Sequence, residues 1–164
     1  MRRYAFPGLF ILALVLALHT FTIAGLPATL PVERVEIITA GGQSHVFEAA
    51  VADTVEARMR GLMFVTRLEP RRGMLFDFGS PGLVEMWMKN TPLSLDMLFI
   101  EAGGRIAHIE ARTRPFSTEI IPSPGEVLAV LEIIGGRSAE LGIAPGDRVV
   151  HRLFPAPAGS QPGH

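Results

Sequence analysis

A ten-residue stretch, W-M-K-N-T-P-L-S-L-D, constrains the fold of this chain more than any other part of it. It runs from Trp87 to Asp96 and places the only tryptophan of the sequence close to a lysine and an aspartate. Apolar-rich runs flank the residues Asn90-Thr91-Pro92-Leu93, where the fixed φ of proline suits a turn. This pattern predicts a β-hairpin closed by a four-residue loop.

A four-residue loop also fixes the predicted register of the hairpin. Trp87 then faces Asp96, and Lys89 faces Ser94, on a polar side that includes Glu85. The other side is apolar and consists of Val84, Met86, Met88, Leu95, Met97 and Phe99. We therefore expect a core face on one side of the hairpin, and the indole, the ammonium and the carboxylate together on the other.

The rest of the sequence indicates a small β-rich domain with two short helices. Alternating runs separated by turn residues predict strands at residues 32–39, 45–51, 74–78, 105–111, 127–134 and 149–154. Asp53 is predicted to cap a helix over residues 54–60 that ends at Gly61, and a helical turn is predicted over residues 137–141. We therefore predict a mostly β fold, either a single small antiparallel barrel or a strongly curved sheet.

The N-terminal segment has the pattern of an export signal. Arg2 and Arg3 precede an apolar run, and small residues at 22–24 suit cleavage. The alternative is an uncleaved membrane anchor, because about 20 residues suffice to span a bilayer. The predicted organisation is a signal peptide or anchor (1–24), a linker (25–31), one β-rich domain (32–154) and a disordered tail (155–164). We expect an exported domain, either periplasmic or, if the segment stays uncleaved, anchored to the inner membrane with the domain outside.

Composition excludes several classes of function. The chain has no cysteine, so disulfides, a thiol nucleophile and a thiolate zinc site are excluded. Its formal net charge of −1 gives no electrostatic basis for binding nucleic acid. The five histidines show no metal-ligand spacing, and the sequence has no phosphate-binding or dinucleotide-binding loop. We therefore expect no metal, no cofactor and no nucleic-acid partner.

Six residues are candidates for a ligand-binding surface. Trp87, Lys89 and Asp96 come first, because an indole face beside an ammonium and a carboxylate suits a sugar ring, a peptide or a small anion. The alternative is a salt bridge between Lys89 and Asp96 that Trp87 covers. The full set of candidates is Trp87, Lys89, Asn90, Asp96, Glu132 and Arg60.

Glu132 lies in an otherwise apolar strand, which is unusual because a carboxylate is rarely buried without a partner. Its expected partner is Lys89, Arg60 or Arg72, either in an internal ion pair or within the binding surface. Alternatively, Glu132 and Asp96 are the acid and base of a hydrolase, as in glycoside hydrolysis, which requires a defined distance between the two carboxyl groups.

Five motifs together resemble one known family. A-R-M-R-G-L-M-F begins at Ala57, G-M-L-F at Gly73, W-M-K-N-T-P-L-S-L-D at Trp87, V-L-E at Val130 and G-I-A-P-G-D at Gly142. Their order and spacing resemble the bacterial and archaeal family catalogued as domain of unknown function 192, over residues 35–154. The resemblance implies a small single-domain β-rich fold, often exported, with no established activity.

Three classes of function remain. The first is a binding or accessory module of the cell envelope, with a small molecule or an envelope protein as partner, because one aromatic and several charges suit binding without a nucleophile. The second is a hydrolase that uses Asp96 and Glu132, and the third is a purely structural interaction domain. An open groove beside Trp87 favours the first two, whereas a fully packed Trp87 favours the third. The sequence assigns no catalytic residue and leaves open whether the protein is an enzyme.

Overall fold

A computed structural model describes residues 29–154, which form a strongly curled β-sheet with two short helices. The predicted leader (1–24), most of the linker (25–31) and the tail (155–164) lie outside the described residues. The elements are β1 (Val32–Ile38), β2 (Ser44–Ala52), α1 (Val55–Arg60), β3 (Arg72–Gly82), β4 (Glu85–Met86), β5 (Leu95–Ile100), β6 (Ile106–Glu110), β7 (Ile121–Pro122), β8 (Val127–Ile134), α2 (Arg137–Glu140) and β9 (Arg148–Val150).

Seven of the strands form one sheet in the order β6-β5-β8-β3-β2-β1-β9. All neighbours in it are antiparallel except β2 and β3, which run parallel. The sheet curls until its two edges meet, because an antiparallel bridge joins Arg105, next to β6, to Arg148 of β9. The Ile106 N–H also donates to the Asp147 carbonyl across this junction, at 2.9 Å. The predicted mostly β fold with a strongly curved sheet is therefore confirmed.

The two faces of the curled sheet carry separate apolar clusters, because side chains alternate along each strand. The inner core draws on all seven strands and includes Phe47, Leu98 and Leu131. The outer core lies on the opposite face and is covered by residues 62–68, β4 and Met88. No helix among residues 29–154 is long and apolar enough to cross a bilayer.

The predicted hairpin of residues 84–100 is wrong in its pairing. Strand β4 pairs with β7, so that Met86 lies opposite Ile121. Strand β5 lies between β6 and β8 in the large sheet, and Asp96 is opposite Ile133. The predicted apolar face is nevertheless buried, and all of its residues belong to the outer core: Val84, Met86, Met88, Leu95, Met97 and Phe99.

Two local predictions also need correction. The cap of α1 is Thr54 rather than Asp53, since the Thr54 hydroxyl accepts a hydrogen bond from the Ala57 N–H at 3.1 Å. The last strand ends at Val150, and residues 151–154 form a turn instead of continuing it. Gly61 ends α1 as predicted, with φ of 48° and its N–H donated to the Ala57 carbonyl.

Candidate functional site

A pocket of about 230 Å³ opens on the outer face of the sheet. Its walls come from α1 and the residues that follow it, from β3, and from the segment that contains Trp87. The lining is largely apolar on the inside and charged at the mouth. It consists of Arg58, Met59, Arg60, Gly61, Leu62, Met63, Phe76, Phe78, Glu85, Met86, Trp87, Lys89, Thr91 and Glu132.

Gly61 lets the end of α1 approach the sheet closely enough to form one wall of this pocket. A β-carbon at this position would lie 3.1 Å from the ring of Phe76, which is a tighter contact than side chains normally make. Its positive φ is also a conformation that glycine adopts without strain. The glycine therefore fixes both the end of the helix and the distance between the two walls.

Glu132 forms the buried end of the pocket. It lies in the middle of β8, opposite Met74 of β3 and Met97 of β5, and only 3% of its surface is exposed. Within residues 29–154, its carboxyl group has no hydrogen bond and no ion pair. The predicted partners Lys89, Arg60 and Arg72 therefore do not pair with it, and the expected internal ion pair is not formed.

Burial without a partner changes the acidity of Glu132. Removal from water disfavours the charged form and raises the pKa of Glu132 to about 8, from 4.5 in an exposed glutamate. At neutral pH the carboxyl group therefore keeps its proton in most molecules. An uncharged carboxylic acid donates one hydrogen bond and accepts others, whereas a carboxylate only accepts.

The mouth of the pocket is aromatic and cationic. The Lys89 ammonium lies over the indole ring of Trp87, 5.1 Å from its centroid, in a cation–π contact. Trp87 is 42% exposed, so one part of its ring system remains accessible beside the opening. Arg58 is held in place because its guanidinium donates to the carbonyls of Asp53 and Asp77, at 2.8 and 2.7 Å.

A tight turn after Trp87 presents Lys89 at the mouth. The Thr91 N–H donates to the Met88 carbonyl at 3.1 Å, which closes a β-turn over residues 88–91. Asn90 occupies its third position with φ of 56°, a conformation that asparagine tolerates better than most residues. The Asn90 carbonyl accepts from the Phe64 N–H at 2.8 Å, so this turn is attached to the loop that carries Met63.

Asp96 lies away from this pocket. Met97 and Glu132 are opposite each other on neighbouring strands and share a face, so Asp96 points to the other face of the sheet. Its carboxylate accepts hydrogen bonds from the N–H groups of Arg112, Gly136 and Ser138 at 2.8–2.9 Å, and from the Ser138 hydroxyl at 2.5 Å. Trp87 and Lys89 were predicted to be neighbours of Asp96, but they line the pocket on the opposite face of the sheet.

These hydrogen bonds give Asp96 a structural role at the start of α2. Burial by itself raises the pKa of Asp96, but the donors of Gly136, Ser138 and Arg112 outweigh it, so the pKa lies below its ordinary value. Asp96 is fully buried and ionised, and it ties α2 and the loop at Arg112 to β5. The predicted salt bridge between Lys89 and Asp96 is therefore not formed.

The structure brings four of the six predicted residues together. Trp87, Lys89, Arg60 and Glu132 line the pocket, whereas Asp96 does not. Asn90 lies just behind the lining, with its side-chain amide 3.8 Å from the sulfur of Met63. Whether these residues bind a ligand stays a prediction.

Sequence reasoning missed the apolar wall of the pocket, which consists of Met59, Leu62, Met63, Phe76 and Met86. Methionines in a small domain most often fill the core, and Met74 and Met97 are indeed buried there. Met59, however, is 68% exposed. Its position between two arginines in a short helix was the available signal, because a core methionine is rarely flanked by charges on both sides.

Comparison with known proteins identifies relatives of undetermined function. The family model of domain of unknown function 192, described as an uncharacterized ACR, matches residues 36–151. No functionally curated protein is significantly similar to the chain.

Two solved crystal structures share the fold. One is a candidate transcription regulator from Sinorhizobium meliloti 1021, with 42% identity, a TM-score of 0.76, and coverage of 78% of this chain and 99% of that one. The other is a protein of unknown function from Novosphingobium aromaticivorans DSM 12444, with 38% identity, a TM-score of 0.73, and coverage of 78% and 91%.

Proposed function

The chain belongs to the family of domain of unknown function 192, and we propose that this member is a ligand-binding module of the cell envelope. Its binding site is the pocket on the outer face of the sheet, with Glu132 at the buried end and Trp87, Lys89 and Arg60 at the mouth. The two related crystal structures do not indicate another site, because one protein is described only as a candidate transcription regulator and the other as of unknown function.

The unpaired carboxyl group of Glu132 is the observation that carries this proposal. A buried carboxyl group that forms no hydrogen bond within the protein costs roughly 1–3 kcal/mol unless the adjoining pocket supplies a partner, and a structural role would require that partner from the protein itself. Residues 29–154 supply none, although Lys89 and Arg60 line the same pocket. Because the pocket is open at the other end, a ligand is able to reach the group and supply the missing partner.

The other two classes of function have less support. A hydrolase with Asp96 and Glu132 as acid and base requires both carboxyl groups at one substrate, and the two point to opposite faces of the sheet. A purely structural domain favours a packed indole, whereas Trp87 is 42% exposed beside an open pocket. Binding requires neither a second carboxyl group nor a packed tryptophan.

The location in the envelope is supported by the sequence of the N-terminal segment alone. Arg2 and Arg3 followed by an apolar run are typical of a chain that is exported. Cell fractionation of the full chain, followed by N-terminal sequencing, tests this part of the proposal. We expect the domain outside the inner membrane, and recovery of full-length protein from the cytoplasm would contradict the proposal.

Binding is tested by methyl NMR of the folded protein with a library of small fragments. Met59, Met63 and Met86 line the pocket and report on it, whereas Ile37 and Ile106 in the inner core are internal references. We expect a subset of fragments to shift the three methionine signals and leave the isoleucine signals in place. Fluorescence of Trp87, the only tryptophan, gives an independent reading of the same event. A library that shifts none of the three signals would contradict the proposed function.

A further inference from the structure

We propose that the ligand of this pocket carries a primary ammonium group at the end of an apolar stem, and an anionic group at its other end. This inference rests on the proposed function and specifies the chemical class of the ligand. The ammonium meets Glu132, the stem lies along the apolar wall, and the anionic group meets Arg60 and Lys89.

The buried end of the pocket selects for the ammonium. Glu132 is the polar side chain at this end, and no cation of residues 29–154 pairs with it. An ammonium group has three donors and no acceptor, so it complements a carboxylate that has only acceptors. The pair forms away from water, where the attraction between opposite charges is stronger than at the surface.

The wall between the two ends selects for the stem. Leu62 and Met86 are buried, Met63 is half-buried, and the rings of Phe76 and Phe78 complete the lining. These side chains offer contact area without hydrogen-bonding groups, apart from the weak acceptors of the thioether sulfurs. A flexible chain of methylene groups gains roughly 0.8 kcal/mol for each group that such a wall removes from water.

The mouth of the pocket selects for the anionic group. Arg60 and Lys89 both line it, and neither has an ion pair within residues 29–154. Glu85 lines it as well, but Arg58 adds a third positive charge, so the lining at the mouth is cationic on balance. A wholly cationic ligand would be repelled there, whereas a ligand with an anionic group would be held at both ends.

The volume of the pocket limits the ligand to a small molecule or a single side chain. At about 230 Å³ it is smaller than the roughly 300–1,000 Å³ typical of sites for drug-sized molecules. Two sources supply this chemistry: a free amino acid with its amine at the far end of the chain, and a lysine side chain of a partner polypeptide with an acidic residue beside it.

The pH dependence of affinity distinguishes a ligand with an ammonium group from a ligand that accepts a hydrogen bond from Glu132. Glu132 must release its proton to pair with the ammonium, whose own pKa is roughly 10. Affinity should therefore rise about tenfold for each pH unit up to pH 8, where free Glu132 loses its proton. A ligand that accepts a hydrogen bond from protonated Glu132 would instead bind with constant affinity below pH 8 and lose affinity above it. Glu85 is the other carboxylate that lines the pocket, and the cations that line it are Arg58, Arg60 and Lys89.

The experiment compares four probes by calorimetry and Trp87 fluorescence with the full chain: 6-aminohexanoate, hexanoate, hexylamine and the peptide acetyl-Glu-Lys-Glu-amide. We expect 6-aminohexanoate to bind at least tenfold more tightly than hexanoate at pH 8. The peptide binding more tightly than 6-aminohexanoate would support a partner polypeptide as the source, and the reverse order would support a free small molecule. Hexanoate binding as tightly as 6-aminohexanoate would overturn the inference.

Two variants locate the two ends of the ligand. Glu132→Gln should weaken 6-aminohexanoate at least tenfold and remove the rise of affinity with pH. Lys89→Ala should weaken 6-aminohexanoate severalfold and should not weaken hexylamine, which lacks the anionic group and gains from the loss of a positive charge. Glu126→Gln, which changes an exposed carboxylate outside the pocket, is the matched control and should change neither.

The outcomes separate this inference from the proposed function. If hexanoate or other fragments shift Met59, Met63 and Met86 while 6-aminohexanoate does not, the ammonium is wrong and the pocket remains the binding site. If Glu132→Gln binds 6-aminohexanoate as tightly as the wild type does, the inference is overturned as well. If no fragment at all shifts those methionines, the proposed function itself fails.

Discussion

Asp96 and Glu132 are two buried carboxyl groups on neighbouring strands, and they differ in almost every other respect. Asp96 accepts four hydrogen bonds on one face of the sheet, whereas Glu132 has none within residues 29–154 and lines an open pocket on the other face. The pKa of Asp96 is lowered, and that of Glu132 is raised to about 8. Burial is common to both, so the donors around each group decide its charge.

This difference separates a structural carboxylate from one that is available for binding. The donors that surround Asp96 occupy its lone pairs, so no ligand is needed to satisfy it. Glu132 has the same chemistry and no such donors, and it lies where a ligand can approach. A carboxyl group identified from sequence as a candidate is therefore judged by its partners rather than by its burial.

Replacement of Asp96 by alanine should have the largest effect on stability. The change leaves the N–H groups of Gly136 and Ser138 buried without an acceptor, and at roughly 1–3 kcal/mol for each we expect it to lower the free energy of unfolding by about 2–6 kcal/mol. Urea denaturation at pH 7 measures this quantity. Glu132→Gln is the matched comparison and should cost less than about 1 kcal/mol at pH 6, because no hydrogen bond is lost. Equal losses in the two variants would remove the distinction between the two groups.

The pH dependence of stability should report the raised pKa of Glu132 in the folded protein. The folded protein keeps the Glu132 proton up to pH about 8, whereas the unfolded chain releases it near 4.5, so stability should fall as the pH rises from 5 to 8. The expected decrease from this group is about 3 kcal/mol, and Glu132→Gln should lack it. Burial lowers the pKa of His151, which acts in the opposite direction, so the difference between wild type and variant isolates Glu132. A difference in unfolding free energy between wild type and Glu132→Gln that stays constant with pH would contradict a raised pKa of Glu132.

Replacement of Gly61 by alanine should have an intermediate effect. The positive φ and the close approach to the Phe76 ring both disfavour a β-carbon, and we expect a loss of about 1–2 kcal/mol in urea denaturation. The matched control is Gly82→Ala, where a β-carbon has nothing within 4 Å and φ is not positive. Wild-type stability of Gly61→Ala would show that the wall between α1 and β3 adapts, and that the shape of the pocket is not fixed there.

Replacement of Lys89 by alanine should have the smallest effect on stability. Lys89 is exposed, and its contact with Trp87 is worth about 0.5–1 kcal/mol at a solvated site. A change in unfolding free energy below about 1 kcal/mol would agree with a residue that serves binding rather than folding. A loss comparable to that of Asp96→Ala would instead assign Lys89 to the framework of the fold.

The sequence predicted which side chains of a strand face the core better than it predicted which strands pair with each other. The prediction of which residues between 84 and 99 face the core was correct, because the alternation of side chains along a strand depends only on local backbone geometry. The partners of β4 and β5 were wrong, because their pairing with β7 and β8 joins residues 29–39 positions apart in the sequence. A β-turn does occur, but over residues 88–91 rather than the predicted 90–93, and the chain then enters the large sheet instead of returning along β4.

The candidate site was predictable only where the signal lies in the local sequence. A glutamate within an apolar strand is visible in any sequence, and Glu132 was identified from that pattern. The role of Asp96 was not visible, because its donors Gly136 and Ser138 lie 40 and 42 residues further along the chain. Apart from Met59, which lies between two arginines, the methionines of the apolar wall have the same sequence pattern as methionines in a core, so most of the wall was missed.

The most direct test of the central claim is a pH titration of the Glu132 side-chain carboxyl carbon by NMR, with Glu132→Gln to assign the signal. An unpaired, buried carboxyl group at the end of the pocket should titrate with a midpoint at about pH 8. A midpoint near 4.5 would show that the group is solvated or paired, and would contradict a buried, unpaired Glu132 at the end of the pocket.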